Sequence, residues 1–171
     1  MDITVKQQGP DIHNGQLCIG EKHFPCALGR SGIVGEKREG DGGTPAGIWK
    51  LQTCWLRSDK WPTPPQHLPS RIITASSGWS DDPDDPDYNR PVTLPHNYSH
   101  EKLWRQDDQY DLLITLDHNL TPIVPGAGSA IFFHLAKPDY GPTEGCVAIS
   151  HAHMREVLPL LTPETNMIIQ A

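Results

Sequence analysis

Prolines and glycines interrupt this chain too often for a bundle of long helices. The sequence holds 17 prolines and 15 glycines, and each either removes a backbone donor or marks a reversal of the chain. Between them lie short apolar runs of strand length, so a mainly β, loop-rich architecture is expected, in the form of a sandwich with one or two short helices. With 171 residues the chain reads as one domain throughout, residues 1–171. A domain of that size buries roughly 70% of the surface its unfolded chain exposes.

Residues Ile3 to Lys6, Gln16 to Ile19 and His23 to Leu28 read as three opening strands, with Asn14-Gly15 and Gly20-Glu21 as turns. Cys18 and Cys26 fall inside these runs and are expected to be buried. The glycine-rich stretch from Gly29 to Gly47 is not a phosphate loop, because Ile48-Trp49-Lys50-Leu51 follows it as a strand and no helix N-terminus is in place. It reads as a wide turn in which Asp41 and Thr44 bond local amides. Ile48 to Leu56 places Trp49, Leu51 and Trp55 in the core, with Cys54 among polar-facing neighbours. Trp61-Pro62-Thr63-Pro64-Pro65 wraps the surface, and Asn97 to Arg105 is expected as a first helix. Leu112 to Leu116 is a continuous apolar run, hence a central strand buried on both faces. Thr121 to Val124 and Ser129 to Leu135 follow as strands; on the latter, Ala130, Phe132 and His134 share one face and Ile131, Phe133 and Leu135 the other. After Cys146, Ala148 and Ser150 share its face. Ser150 caps a last helix, and Met167-Ile168-Ile169 closes the sheet.

A formal net charge of −7 argues against nucleic-acid and anionic-membrane partners, which need basic surface to displace counterions. No stretch approaches the ~20 apolar residues that span a bilayer. The opening Met1-Asp2-Ile3-Thr4-Val5-Lys6 carries no basic leader before an apolar run, so a cytoplasmic protein with reduced thiols at Cys18, Cys26, Cys54 and Cys146 is expected. The alternatives are two disulfides and, if a leader has been removed, a periplasmic location. No metal or other cofactor is expected: neither HExxH nor paired CxxC occurs, and His151 and His153, two apart on a helix, diverge by about 200°.

The strongest candidate for chemistry is His134, ending an apolar strand, with Gly145-Cys146 opening another after a turn-rich loop. An imidazole beside a thiol makes a nucleophile, and the amides of Gly145 and Cys146 are candidate donors to an oxyanion. The acidic stretch Asp81-Asp82-Pro83-Asp84-Asp85 reads either as a solvated loop or as a wall that attracts an ammonium group.

These residues resemble a known family. His134 with Thr143-Glu144-Gly145-Cys146-Val147 is similar to the His...Ser/Thr-x-Gly-Cys signature of the L,D-transpeptidase catalytic domain (YkuD-type), and Asp41-Gly42-Gly43-Thr44-Pro45-Ala46-Gly47 to its Asp-x-x-Thr-Pro-x-Gly stretch. The resemblance implies a β-sandwich-like fold and a cysteine enzyme acting on peptidoglycan stem peptides or muropeptides that contain diaminopimelate and D-alanine. It implies Cys146 as nucleophile, His134 as acid and base, the Leu135 carbonyl as its orienter, and an acyl thioester resolved by an amine or by water. Thr143, Glu144, Arg105, Trp104, Lys37, Arg38, Asp81 and Asp82 are the substrate contacts expected here. Cross-linking members often have His before the Gly-Cys and Arg or Asn two after the Cys; this chain has Glu144 and Ala148. It thus resembles most the short leaderless members that act as L,D-carboxypeptidases in wall recycling. A cross-linking or exchanging L,D-transpeptidase and a non-catalytic binding module are the alternatives.

Overall fold

The sheet that dominates this protein curls round until one end strand pairs with the last but one at the other end. The computed structural model describes residues Met1–Ala171. Its strands are β1 (Ile3–Gln7), β2 (Asn14–Ile19), β3 (Lys22–Ala27), β4 (Ile33–Val34), β5 (Thr44–Pro45), β6 (Gly47–Leu56) and β7 (Ser70–Ile72). They continue with β8 (Ser77–Ser80), β9 (Pro91–Thr93), β10 (His100–Lys102), β11 (Leu112–Leu116), β12 (Phe132–Leu135), β13 (Val147–Ile149) and β14 (Asn166–Gln170). One α-helix, α1 (His151–Val157), lies between β13 and β14. The main sheet runs β11-β12-β13-β3-β2-β1-β14-β6-β7, and β11 also pairs with β6. That last pairing makes a closed circuit of eight strands, the form the expected sandwich takes here. A second, three-stranded sheet, β10-β8-β9, lies apart from it.

Strand alternation sorts the core into two bodies. Ile131, Phe133, Leu135, Val147 and Ile149 join Leu112, Ile114 and Leu116 in the larger cluster. Ala130, Phe132, Leu113 and Cys146 face the other way, into a smaller cluster with Trp55, Trp79 and Leu103. Leu112–Leu116 is buried at every position, as a strand with a core on each face must be. The smaller cluster joins the circuit to the three-stranded sheet: Trp79 stands edge-on to Phe132 with ring centroids 5.3 Å apart. His134 and Cys146 therefore belong to the outer face of the circuit, beneath the second layer.

β14, expected to close the sheet, runs parallel to β1 and antiparallel to β6 and so joins the two. Ser150 caps α1 by accepting the His153 amide at 3.2 Å, and Met154 and Val157 carry the helix into the larger core. His151 turns to Trp61 (centroids 4.7 Å apart) and His153 to Phe24 (4.8 Å), so these two histidines part as the helical spacing requires.

Several expectations are corrected. Asn97–Arg105 is not a helix: His100–Lys102 pairs with Gly78–Ser80 as β10, and the segment offers no apolar i, i+3, i+4 stripe to hold a helix down. Thr121–Val124 is not a strand, because Asn119, at φ 52, takes over its backbone bonds. Its Oδ1 accepts the Val124 amide at 2.8 Å, and its Nδ2 donates to the Val124 and Gly128 carbonyls, both at 2.9 Å. The strand expected from Ser129 starts only at Phe132, since Ala130 is left-handed at φ 52. Cys54 is fully buried. A register shift opposite Ile114 and Leu116 inserts an extra residue in β6, so Leu51 and Cys54 both reach the larger core and Trp55 the smaller one. Cys18 is only half-buried, on the opposite face of β2 from Leu17 and Ile19. Trp49 too is half-buried, and Trp61 within the proline-rich excursion is buried in the larger core.

Candidate active site

The Asp41–Thr44 loop and the Cys146 turn are built against each other. Asp41 accepts the Arg38 and Gly43 amides at 2.7 and 2.8 Å and pairs with Lys37, while Thr44 Oγ1 accepts the Gly29 amide at 2.8 Å. The Asp41 bonds are the local ones expected of the glycine-rich stretch, while Thr44 reaches across it to Gly29, 15 residues away. Gly145 sits at φ 136, where a Cβ would lie 2.7 Å from the Gly43 carbonyl oxygen. Only glycine allows that approach. Thr143 Oγ1 then donates to the Cys146 carbonyl at 2.7 Å and accepts the Gly145 amide at 3.1 Å, fixing the turn into β13. The Gly145 N–H is thus occupied at rest, so of the two expected oxyanion donors only the Cys146 N–H is free.

His134 Nδ1 donates to the Leu135 carbonyl at 2.9 Å, so Nε2 carries the free lone pair. Tyr110 stands edge-on to this imidazole, ring centroids 5.1 Å apart and planes at 86°. β12 and β13 are parallel with His134 opposite Ala148, which places Cys146 level with Phe132, about 7 Å down the strand from His134. The thiol rests against this lower rung: Sγ donates to the Ala130 carbonyl at 3.2 Å and accepts the Phe132 amide at 3.3 Å. No hydrogen bond joins Cys146 to His134 at rest. Burial pushes the thiol up to about 12, with the Glu101 charge acting in the same sense, and pulls the imidazole down to about 4. Both are neutral near pH 7.

Cys146 and His134 line one cleft of about 350 Å³. Of the expected contacts, Lys37, Asp81, Arg105, Thr143 and Glu144 line it too. Arg105 is held by Asp107 through Nε at 2.8 Å and Nη2 at 2.5 Å, and Glu144 is exposed and pairs with Arg30 at 2.6 Å. Three contacts are corrected. Trp104 packs beneath the Arg57 guanidinium, 3.5 Å from its ring centroid. Asp82 turns to the Asp84 and Ser99 amides at 3.1 and 3.3 Å. Arg38 is exposed, and its backbone serves Asp41 and Lys37. Glu39, Glu101, Gln109 and Tyr110 line the cleft without having been expected. Glu101 carries no local signal; it arrives because β10 pairs with β8.

The YkuD family model, the L,D-transpeptidase catalytic domain, matches residues 12–169. The chain belongs to this family. Among solved structures, L,D-transpeptidase 1 of Mycobacterium tuberculosis is similar at 11% identity and a TM-score of 0.40, over 98% of this chain and 61% of that one. An L,D-transpeptidase from Mycobacterium smegmatis is similar at 13% identity and a TM-score of 0.40, over 99% and 59%. This L,D-transpeptidase-family chain thus spans about three fifths of the length of either. No curated protein matches the sequence.

Proposed function

We propose that this L,D-transpeptidase-family domain is a cysteine L,D-carboxypeptidase that removes the terminal D-alanine from tetrapeptide muropeptides in peptidoglycan recycling, in the cytoplasm. The observation that carries the reading is the shared cleft, where a buried thiol and an imidazole with a free Nε2 line the same space of about 350 Å³. A cleft of that volume has room for one peptide end and a water.

In the proposed reaction Sγ–H leaves the Ala130 carbonyl and gives its proton to His134 Nε2 as sulfur attacks the carbonyl before D-alanine. The Cys146 N–H receives the oxyanion. Collapse breaks the C–N bond, and His134 returns the proton to the leaving amine. Water, deprotonated by the same imidazole, then cleaves the thioester and restores the thiol. The Leu135 carbonyl holds Nδ1–H throughout, so the ring presents Nε2 at each step.

A second reading, cross-linking or D-amino-acid exchange outside the cytoplasm, draws support from a neighbouring cleft of about 650 Å³. It shares Gln109 and Lys137 with the first and is a place for an acceptor stem. Incubation with a purified diaminopimelate tetrapeptide separates the readings by mass spectrometry. Tripeptide plus alanine supports the first, and dimers or exchanged termini the second; no product leaves a binding module. Full turnover by Cys146→Ala refutes the thioester. Fractionating cells tests the location, and recovery from the periplasm would overturn that part.

A further inference from the structure

Charges in the cleft are unevenly matched. Lys37 is paired with Asp41 and Arg105 with Asp107, while Glu39 accepts the Tyr88 hydroxyl at 2.5 Å. Glu101 and Asp81 make no ion pair, although the charge of Arg105 reaches Glu101 and Lys137 lines the same cleft unpaired. Glu101 Oε2 accepts only the Tyr110 hydroxyl, at 2.7 Å, and Asp81 Oδ1 is buried with no hydrogen-bond partner at all. The fold brings the two together: Glu101 lies opposite Trp79 in the β8–β10 pair, and Asp81 follows β8, its amide bonded to the Ser99 carbonyl at 3.2 Å. A buried carboxylate oxygen without a partner is costly. Its position beside Cys146 and His134 points to a cation that arrives with the substrate.

We propose that Glu101 and Asp81 form the receptor for a side-chain ammonium on the residue whose carbonyl Cys146 attacks, so that stems bearing a primary amine there are selected over uncharged ones. This deepens the carboxypeptidase reading and rests on it for the identity of the attacked residue. Selection works by exclusion as well as attraction: an alkyl side chain would leave Glu101 without a counter-ion and the buried Asp81 Oδ1 without a partner. The ammonium has a second effect. After burial itself, Glu101 is the group that most raises the Cys146 thiol. An ammonium seated on Glu101 cancels that charge, and the thiolate becomes easier to form once the right substrate is in place.

The test is binding to Cys146→Ala by calorimetry, using L-alanyl-γ-D-glutamyl-X-D-alanine with X either L-lysine or L-norleucine. The lysine peptide is expected to bind on the order of 100-fold more tightly. Adding Glu101→Gln or, as a second variant, Asp81→Asn should cut that ratio at least tenfold, with thermal melting confirming that each variant is folded. Equal affinities, no measurable binding of the lysine peptide, or an undiminished ratio in both variants overturns the proposal. Wild-type turnover of both peptides at equal kcat/KM would also overturn it while leaving the carboxypeptidase standing. Discrimination in binding without any turnover would do the reverse.

Discussion

Replacing Gly145 with alanine tests whether the Asp41–Thr44 loop positions the Cys146 turn. At φ 136 an L-residue is strained, and the new Cβ would lie 2.7 Å from the Gly43 carbonyl oxygen and 3.4 Å from Ile131 Cδ1. Backbone strain of this kind costs about 1–3 kcal/mol and a forced core clash about 1–3 more. A loss of about 2–6 kcal/mol is therefore expected, a large share of the ~5–15 kcal/mol that holds a domain together. Gly126 supplies the control: at φ 81 with nothing within 4 Å, Gly126→Ala carries the strain without the clash. Urea denaturation of both variants separates the two contributions. If Gly145→Ala stays folded, its Cys146 amide is displaced, and kcat on the tetrapeptide should fall at least 100-fold while Gly126→Ala stays near wild type. A Gly145→Ala protein within 0.5 kcal/mol and twofold of wild type would refute the contact.

Three further outcomes are expected. Asn89 is buried and binds four backbone or indole groups, from Trp79, Ala130, His118 and Asn119; Asn89→Ala should cost about 2–4 kcal/mol in urea titration. Burial holds His118 and His134 down at about 4 in the folded chain against 6.5 ordinarily. The unfolded chain thus takes up more protons in that window, and stability should fall as pH drops from about 6.5 towards 4, with His118→Gln flattening the slope. Iodoacetamide at pH 7 should label half-exposed Cys18 well before buried Cys26, Cys54 and Cys146; peptide mapping that finds Cys146 first would contradict the resting state described above.

What the sequence made legible was whatever depends on near neighbours. His134 finds its orienting carbonyl on the next residue, and the Gly145 turn is closed by Thr143 two positions away. Strand parity likewise sorted Ile131, Phe133 and Leu135 into one core and Phe132 into the other. Substrate contacts were harder, because a patch of charge says nothing about which neighbour turns inward. Within irregular loops Asp81 enters the cleft while Asp82 accepts the Ser99 amide, and Lys37 enters while Arg38 faces solvent. Glu101 was invisible for another reason: its place depends on a pairing with β8 that no local pattern announces.

The resting pair is itself an argument about how the chemistry must run. With the thiol near 12 and the imidazole near 4, a standing thiolate–imidazolium pair has no support from the surroundings. The thiol is tied to Ala130 and Phe132, a rung away from His134. In the proposed reaction proton transfer accompanies attack, after Sγ has left its resting bonds, and on the proposed ammonium contact the substrate offsets the Glu101 charge at that moment. On that proposal a buried, protonated Cys146 would stay unreactive towards stray electrophiles until a peptide is bound.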